Sequence, residues 1–309
     1  MVRRITSRLT NFVLLIAILM SPALIPGCAG KNDDAYKKEI EDWKAKRLTR
    51  LTREDGWLTL CGLSWLKQGE NPIGSDSSNT VVLPAGKAPA HAGSIWVDSG
   101  KIRLEAKPEA GMKYKDSAIT SMALLSDEAP EPTIIKLGTL SFYVIKRGDQ
   151  LGVRIKDKEN PARVNFKGLD YFPVDPKWKI EATYKPYTPP KIVDVLSQVN
   201  TIEKDSCPGA VEFDVNGQTQ RLDVFVEAGS EDQFWIMFED ATSGKETYAN
   251  GRQLYTPVQD STGKVIIDFN KALNWPCVFT DFATCPIPPK QNRMAIRVEA
   301  GEKMYKGHE

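Results

Sequence analysis

The chain predicts a mainly β protein: an antiparallel sandwich- or barrel-like, two-domain architecture with one N-terminal amphipathic helix. From Gly56 onward, short β-branched and aromatic runs alternate with Gly, Asp, Asn and Pro, the pattern of antiparallel sheets. Helical periodicity is confined to one charged stretch, residues 33–55. A proline pair, Pro189-Pro190, separates two strand-rich series. The length suits two modest domains, taken as 56–188 and 189–309.

The N-terminus places Arg3, Arg4 and Arg8 before an apolar run that ends in Ser21, Pro22 and Pro26. That order is expected of an export signal over residues 1–27, and the breakers stop the run short of a comfortable membrane span. The junction Ile25-Pro26-Gly27-Cys28 resembles the bacterial lipobox, which implies cleavage and lipidation at Cys28. A protein so modified sits in the cell envelope, periplasmic or outer-surface, anchored to the membrane and not threaded through it.

Residues 28–55 follow as anchor and helix. Tyr36, Ile40, Trp43, Arg47 and Leu51 fall on one stripe with Leu48 beside it, and Asp33 or Asp34 is placed to cap the start. Such a stripe docks on its own domain far more often than on a membrane or partner.

In the first strand series, Asp98-Ser99-Gly100 and Arg147-Gly148-Asp149 read as hairpin turns. In the second, Asn216-Gly217 between two strand-like runs is a strong hairpin signal. "DQFWIMFED" reads as a strand buried on both faces, and "KVIIDFNKALN" as a strand running into a turn.

Net charge is +1, and removal of residues 1–27 takes away three arginines and no acid, leaving −2. That balance lacks the basic footprint of a nucleic-acid binder. With Cys28 lipidated, Cys61, Cys207, Cys277 and Cys285 remain, an even number that permits two disulfides in an oxidising compartment. Cys277 and Cys285 are the expected pair, because the seven residues between them, none a proline, allow a return loop within bridging distance.

Two further stretches carry family resemblances. Residues 69–104, with Gly69, Asn71, Ile73-Gly74, Asn79, Val81, Leu83-Pro84 and His91-Ala92, resemble the opening of the forkhead-associated β-sandwich. Ser75 and Ala88 stand where that family holds phosphothreonine with arginine and serine, so the resemblance implies a sandwich without phosphopeptide binding, and His91 is expected to serve a turn. The blocks "FKGLDYFPVD", "DATSGKETY…GR", "DFN.A.N.PC", "TCP.PP..NR" and "AGEK" resemble the hallmark of the bacterial family called domain of unknown function 1684. This likeness is expected to extend over most of the chain beyond the helix, and it implies no activity.

The proline-rich segment after Cys285 admits two readings. As a strap, Pro286, Pro288 and Pro289 impose extension, Asn292 satisfies turn backbone, and Met294, Ile296 and Val298 form a last strand. As a site, Asp240, Ser243, Lys245, Tyr248, Arg252, Asn274, Asn292 and Arg293 surround a small anionic ligand, suited to guanidinium and ammonium groups.

Catalytic templates are thin. Only His91 and His308 are present, no nucleophile elbow occurs, and "SGKET" lacks the first glycine of a phosphate loop. The cysteine spacing does not suit zinc; neither metal nor cofactor is expected. The leading expectation is an exported lipoprotein that binds a ligand or envelope partner. Alternatives are a hydrolase working at the 240–252 and 274–293 loops, or a structural envelope protein.

Overall fold

A computed structural model describes residue 1 and residues 29–227 and 229–307. The export segment beyond Met1, the lipidation candidate Cys28 and His308 lie outside the described residues.

The helix runs Ala29–Thr52. It opens ahead of Asp33 and Asp34, which therefore stand inside it and do not cap it, because Ala29 to Asn32 already take helical backbone. Its stripe docks on its own chain: Ile40 and Leu51 are buried, whereas Leu48 is exposed. Tyr36 Oη donates to Asp268 Oδ1 at 2.8 Å, and Arg47 Nε to Glu302 Oε1 at 2.8 Å.

Two sheets form the first unit. A six-stranded sheet includes Leu60–Trp65, Gln150–Asp157, Leu140–Arg147 and Ile135–Leu137 as successive neighbours, and a five-stranded sheet is built around Gly69–Gly74, Gly93–Asp98 and Lys101–Ala106. Ile73, Val81, Ile95 and Leu104 from the second meet Phe142, Val144, Val153 and Ile155 from the first in one core, the alternation expected of a sandwich. The two-residue connections Ser99-Gly100 and Gly148-Asp149 are the expected hairpin turns; Ser99, Gly100 and Gly148 all take positive φ. Ser75 Oγ donates to the Ala88 carbonyl at 2.8 Å, and His91 Nδ1 lies 3.1 Å from Asn79 Oδ1. Both side chains thus serve their own loop.

The second unit packs a four-stranded sheet, ordered Gln218–Val224, Ile202–Val215, Lys179–Leu196, Lys264–Asp268, against the ribbon Gln233–Phe238 with Arg252–Pro257. Asn216-Gly217 makes its hairpin. All but the first residue of Gln233–Phe238 is buried, as the sequence implies.

The boundary at Pro189-Pro190 is corrected. These prolines lie inside the strand Lys179–Leu196, which pairs with Ile202–Val215 on both sides of a register break between Pro186 and Lys191. The break accommodates two residues that have no N–H to offer a ladder. Lys179 to Thr183 already pair with Lys264–Asp268, so the second sheet starts ten residues before the expected boundary of 189.

The expected final strand over Met294 to Val298 is also replaced. The segment lies across the ribbon as a strap, with Met294 N–H donating to the Glu239 carbonyl (2.8 Å) and Ala241 N–H to the Ile296 carbonyl (2.9 Å). At Val298 side chains take over from a ladder: its N–H donates to Asp240 Oδ2 and its carbonyl accepts from Arg252 Nη2.

Candidate ligand cleft

The side chains singled out in the sequence are divided between structure and surface. Asp240 and Arg252 are fully buried partners at 3.2 Å. Arg252 also donates to the carbonyls of Val298 (2.9 Å) and Ala300, and Asp240 Oδ2 accepts from Val298 N–H at 2.7 Å. Asn292 satisfies three backbone groups: Asp223 N–H (2.7 Å), Asp223 C=O (2.8 Å) and Met237 C=O (2.8 Å).

Asn274 Nδ2 donates to the Lys303 carbonyl at 2.7 Å, and its N–H donates to Glu302 Oε2 at 2.7 Å. Ser243 Oγ accepts from Asp240 N–H at 3.2 Å. Lys245 faces solvent, and exposed Arg293 pairs with Glu239 at 3.1 Å. Tyr248 Oη donates to Gln198 Oε1 at 3.1 Å. Asp240, Arg252 and Asn292 thus spend hydrogen bonds on the backbone of the strap and ribbon, whereas Lys245 and Arg293 stand at the surface.

The expected Cys277–Cys285 bridge is not formed in this structure. All four described cysteines are free thiols. The strap nevertheless brings this pair together, with Cys277 N–H donating to Cys285 Sγ at 3.2 Å.

A different site appears where the two units meet. Leu60 from the first joins Val195, Phe225, Trp235, Trp275 and Cys285 from the second in a shared cluster. Above it lies a cleft of about 780 Å³ walled by Trp57, Trp235, Trp275 and Tyr255, with Arg147 and Arg154 on one side and Thr284 and Cys285 on the strap. Trp57, Glu227, Gln253 and Tyr255 also line an adjoining lobe of about 670 Å³ that holds Arg50, Arg53, Lys156 and Lys271.

Arg154 is the unusual member. It stands on Gln150–Asp157 directly across from Tyr143, so this cross-strand pair places the phenol beside the guanidinium. Its Nη1 donates to Tyr143 Oη at 3.2 Å and its Nη2 to Thr284 Oγ1 at 3.3 Å. Only 3% of Arg154 is exposed, its Nε has no hydrogen-bond partner among the described residues, and no described carboxylate forms an ion pair with it. The Trp57 ring lies 5.1 Å away, a cation–π distance. Arg147, by contrast, is neutralised by Asp127 at 2.9 Å and gives its Nε to Thr284 Oγ1 at 3.1 Å.

Two residues along the same strand face stands Lys156, whose Nζ donates to the Asp55 carbonyl. Burial, then the nearby Arg154 charge, holds Lys156 below the ordinary lysine range. The opposite rim is acidic, with Glu203, Asp205, Glu227 and Glu231. Burial, and then Glu203, pushes Asp205 upward; burial likewise raises Glu227. A buried guanidinium and a desolvated ammonium together are an uncompensated positive centre, the arrangement that an anion stabilises.

Sequence reasoning missed Arg154, Lys156 and Trp57. The alternation Val153-Arg154-Ile155-Lys156 reads as a strand with one wet face, and nothing local reveals that the second unit covers it.

Residues 164–303 match the model of the family described as "Protein of unknown function (DUF1684)". The match starts at the "FKGLDYFPVD" region and closes on "AGEK"; it excludes the first sandwich, a narrower extent than the sequence suggested. Among solved structures, an uncharacterized protein of Haloarcula marismortui is 30% identical, covers 47% of this chain and 81% of its own, and has a TM-score of 0.40. The FhaA FHA domain, solved with the intracellular domain of Rv3910, is 15% identical, covers 30% of this chain and 97% of its own, with a TM-score of 0.22. No curated protein matches.

Proposed function

We propose, from the premise that the chain belongs through residues 164–303 to the DUF1684 family, that it is a binding module whose inter-unit cleft holds a small organic anion. The observation that supports this most is Arg154, a residue of the cleft lining that is buried, without a carboxylate partner and with an Nε donor that no described residue satisfies. An unpaired interior charge costs several kcal/mol, and a carboxylate or phosphate docking there offsets that cost through charge-assisted hydrogen bonds. The tryptophans supply apolar walls for the rest of the ligand. Acidic groups on the far rim repel a second negative charge, so the anionic end points to Arg154 and the remainder is neutral or cationic.

The export-like N-terminus and the lipobox-like Cys28 support a lipid-anchored protein of the cell envelope that presents this cleft outside the cytoplasm. Cys28→Ala is expected to move the protein from the membrane fraction to the soluble one; retention in the membrane fraction refutes the anchor.

The cleft is tested by thermal shift with inorganic phosphate, benzoate and indole-3-acetate, using the parent and Arg154→Met. A ligand that binds only the folded state raises its melting temperature by mass action. A shift with an aromatic carboxylate that is lost in Arg154→Met supports the reading. Equal shifts in both proteins, or none with any probe, overturn it.

A further inference from the structure

We propose that Cys277 and Cys285 form a second, reactive site beside this cleft: a dithiol that exchanges with small disulfides, with Cys277 attacking and Cys285 resolving.

The strap geometry sets the roles. Cys277 N–H reaches Cys285 Sγ at 3.2 Å, and both residues pack in the same apolar cluster, so the two thiols are neighbours. Cys277 is half-buried, whereas Cys285 is 5% exposed. An incoming disulfide therefore meets Cys277 first, and Cys285 waits within contact. Cys285 also lines the cleft next to Thr284, the residue that both Arg147 and Arg154 hold.

The unpaired Arg154 is the independent feature that points to a substrate here. Its charge favours a thiolate at the pair, and it favours disulfides that carry a carboxylate. The hydrogen bond from Cys285 and the Arg154 charge hold Cys277 below the ordinary thiol range, while burial and Cys277 itself drive Cys285 far above it. With one proton between the two sulfurs, the thiolate is favoured on Cys277 and the proton on Cys285.

The chemistry balances with a disulfide R–S–S–R as oxidant. The Cys277 thiolate bonds to one sulfur, the S–S bond breaks and RS⁻ leaves. Cys285 then loses its proton to that thiolate or to water and attacks Cys277 Sγ, expelling a second RS⁻. The protein gains one disulfide, and the substrate is reduced by two electrons to two thiols.

This inference shares Arg154 with the anion-binding reading but stands on the cysteine pair, and the experiment separates them. The reduced full-length chain is treated with 5,5′-dithiobis(2-nitrobenzoate), an anionic disulfide, and with neutral 4,4′-dithiodipyridine. Released thiol is followed by absorbance and the products are located by peptide mass mapping. Cys61 in the same chain is the internal reference, because burial pushes its thiol up to about 11.

The expected result is modification at Cys277 faster than at Cys61 by roughly ten-fold or more with either reagent, closing to a Cys277–Cys285 disulfide. Cys285→Ser should stop at the mixed disulfide on Cys277. Arg154→Met should slow the anionic reagent more than the neutral one. Cys277 reacting no faster than Cys61 in the unsubstituted chain, or a mixed disulfide that persists beside an unreacted Cys285, overturns the dithiol without touching the anion-binding result. Loss of the anion-dependent thermal shift criterion with rapid dithiol closure intact overturns only the other.

Discussion

Arg252 lies 3.2 Å from Asp240 with both side chains fully buried, and between them they hold the backbone of Val298 and Ala300. The pair fastens the C-terminal strap to the ribbon that carries it. Removing one partner leaves the other as an uncompensated interior charge, which typically costs about 3–5 kcal/mol. Arg252→Met and Asp240→Ala should each lower the denaturant midpoint accordingly. The double replacement by apolar residues should recover part of the loss, and equal midpoints for parent and single variants would refute the role.

Asn292 offers a second check on the strap. Its amide satisfies three backbone groups drawn from Asp223 and Met237, one on each sheet of the second unit. Asn292→Ala leaves all three without this partner, at about 1–3 kcal/mol for each group that stays dry. A loss of ~2–4 kcal/mol by urea unfolding is expected. Asn292→Asp should not rescue it, because a carboxylate cannot donate to the two carbonyls.

At Gly301 the constraint is steric. Its φ is +77°, and an added Cβ would lie 2.7 Å from the Ala272 carbonyl oxygen and 2.8 Å from that of Phe269. Gly301→Ala should destabilise by ~2 kcal/mol or more and loosen neighbouring Glu302. Glu302 holds Arg47 of the helix at 2.8 Å, so amide exchange in the helix reads the effect.

Lys156 should trade stability for binding. The folded protein holds its pKa below the ordinary value, so between that lowered value and about 10.4 the unfolded chain binds more protons. Stability therefore rises with pH across this window. Lys156→Met should flatten that rise and raise the melting temperature near neutrality, while weakening any anion held at Arg154. A lower melting temperature with unchanged anion affinity would contradict both parts.

Oxidation of Cys277 and Cys285 closes a loop of seven intervening residues and should stabilise the protein by roughly 2–4 kcal/mol. Melting of air-oxidised protein with and without reductant, beside Cys277→Ser, measures it. Equal melting in all three would mean the thiols never bridge.

Much of the fold was legible because its signals are local. Asn216-Gly217 and Ser99-Gly100 take the positive φ of their hairpin turns, and the apolar run in Gln233–Phe238 becomes a strand buried on both faces. The proline pair misled, since Pro189 and Pro190 look like a linker but sit in a register break of one long strand. For the site, residue type pointed to the right strap and the wrong role. Asp240, Arg252 and Asn292 look like ligand groups, yet most of their hydrogen bonds go to backbone groups and to one another.

The β class, the hairpins, the N-terminal docking helix and the family blocks that close on Ala300-Gly301-Glu302-Lys303 are legible in the chain alone, since turn chemistry and side-chain period act over a few residues. Which polar groups are spent and which are left over depends on the packing of segments distant in the chain. Arg154 and Lys156 alternate along an ordinary-looking strand, and they become an unpaired positive centre only because the second unit covers that face. Burial and the choice of partner are properties of chain segments far apart in sequence, and the free energy of a charge depends on both.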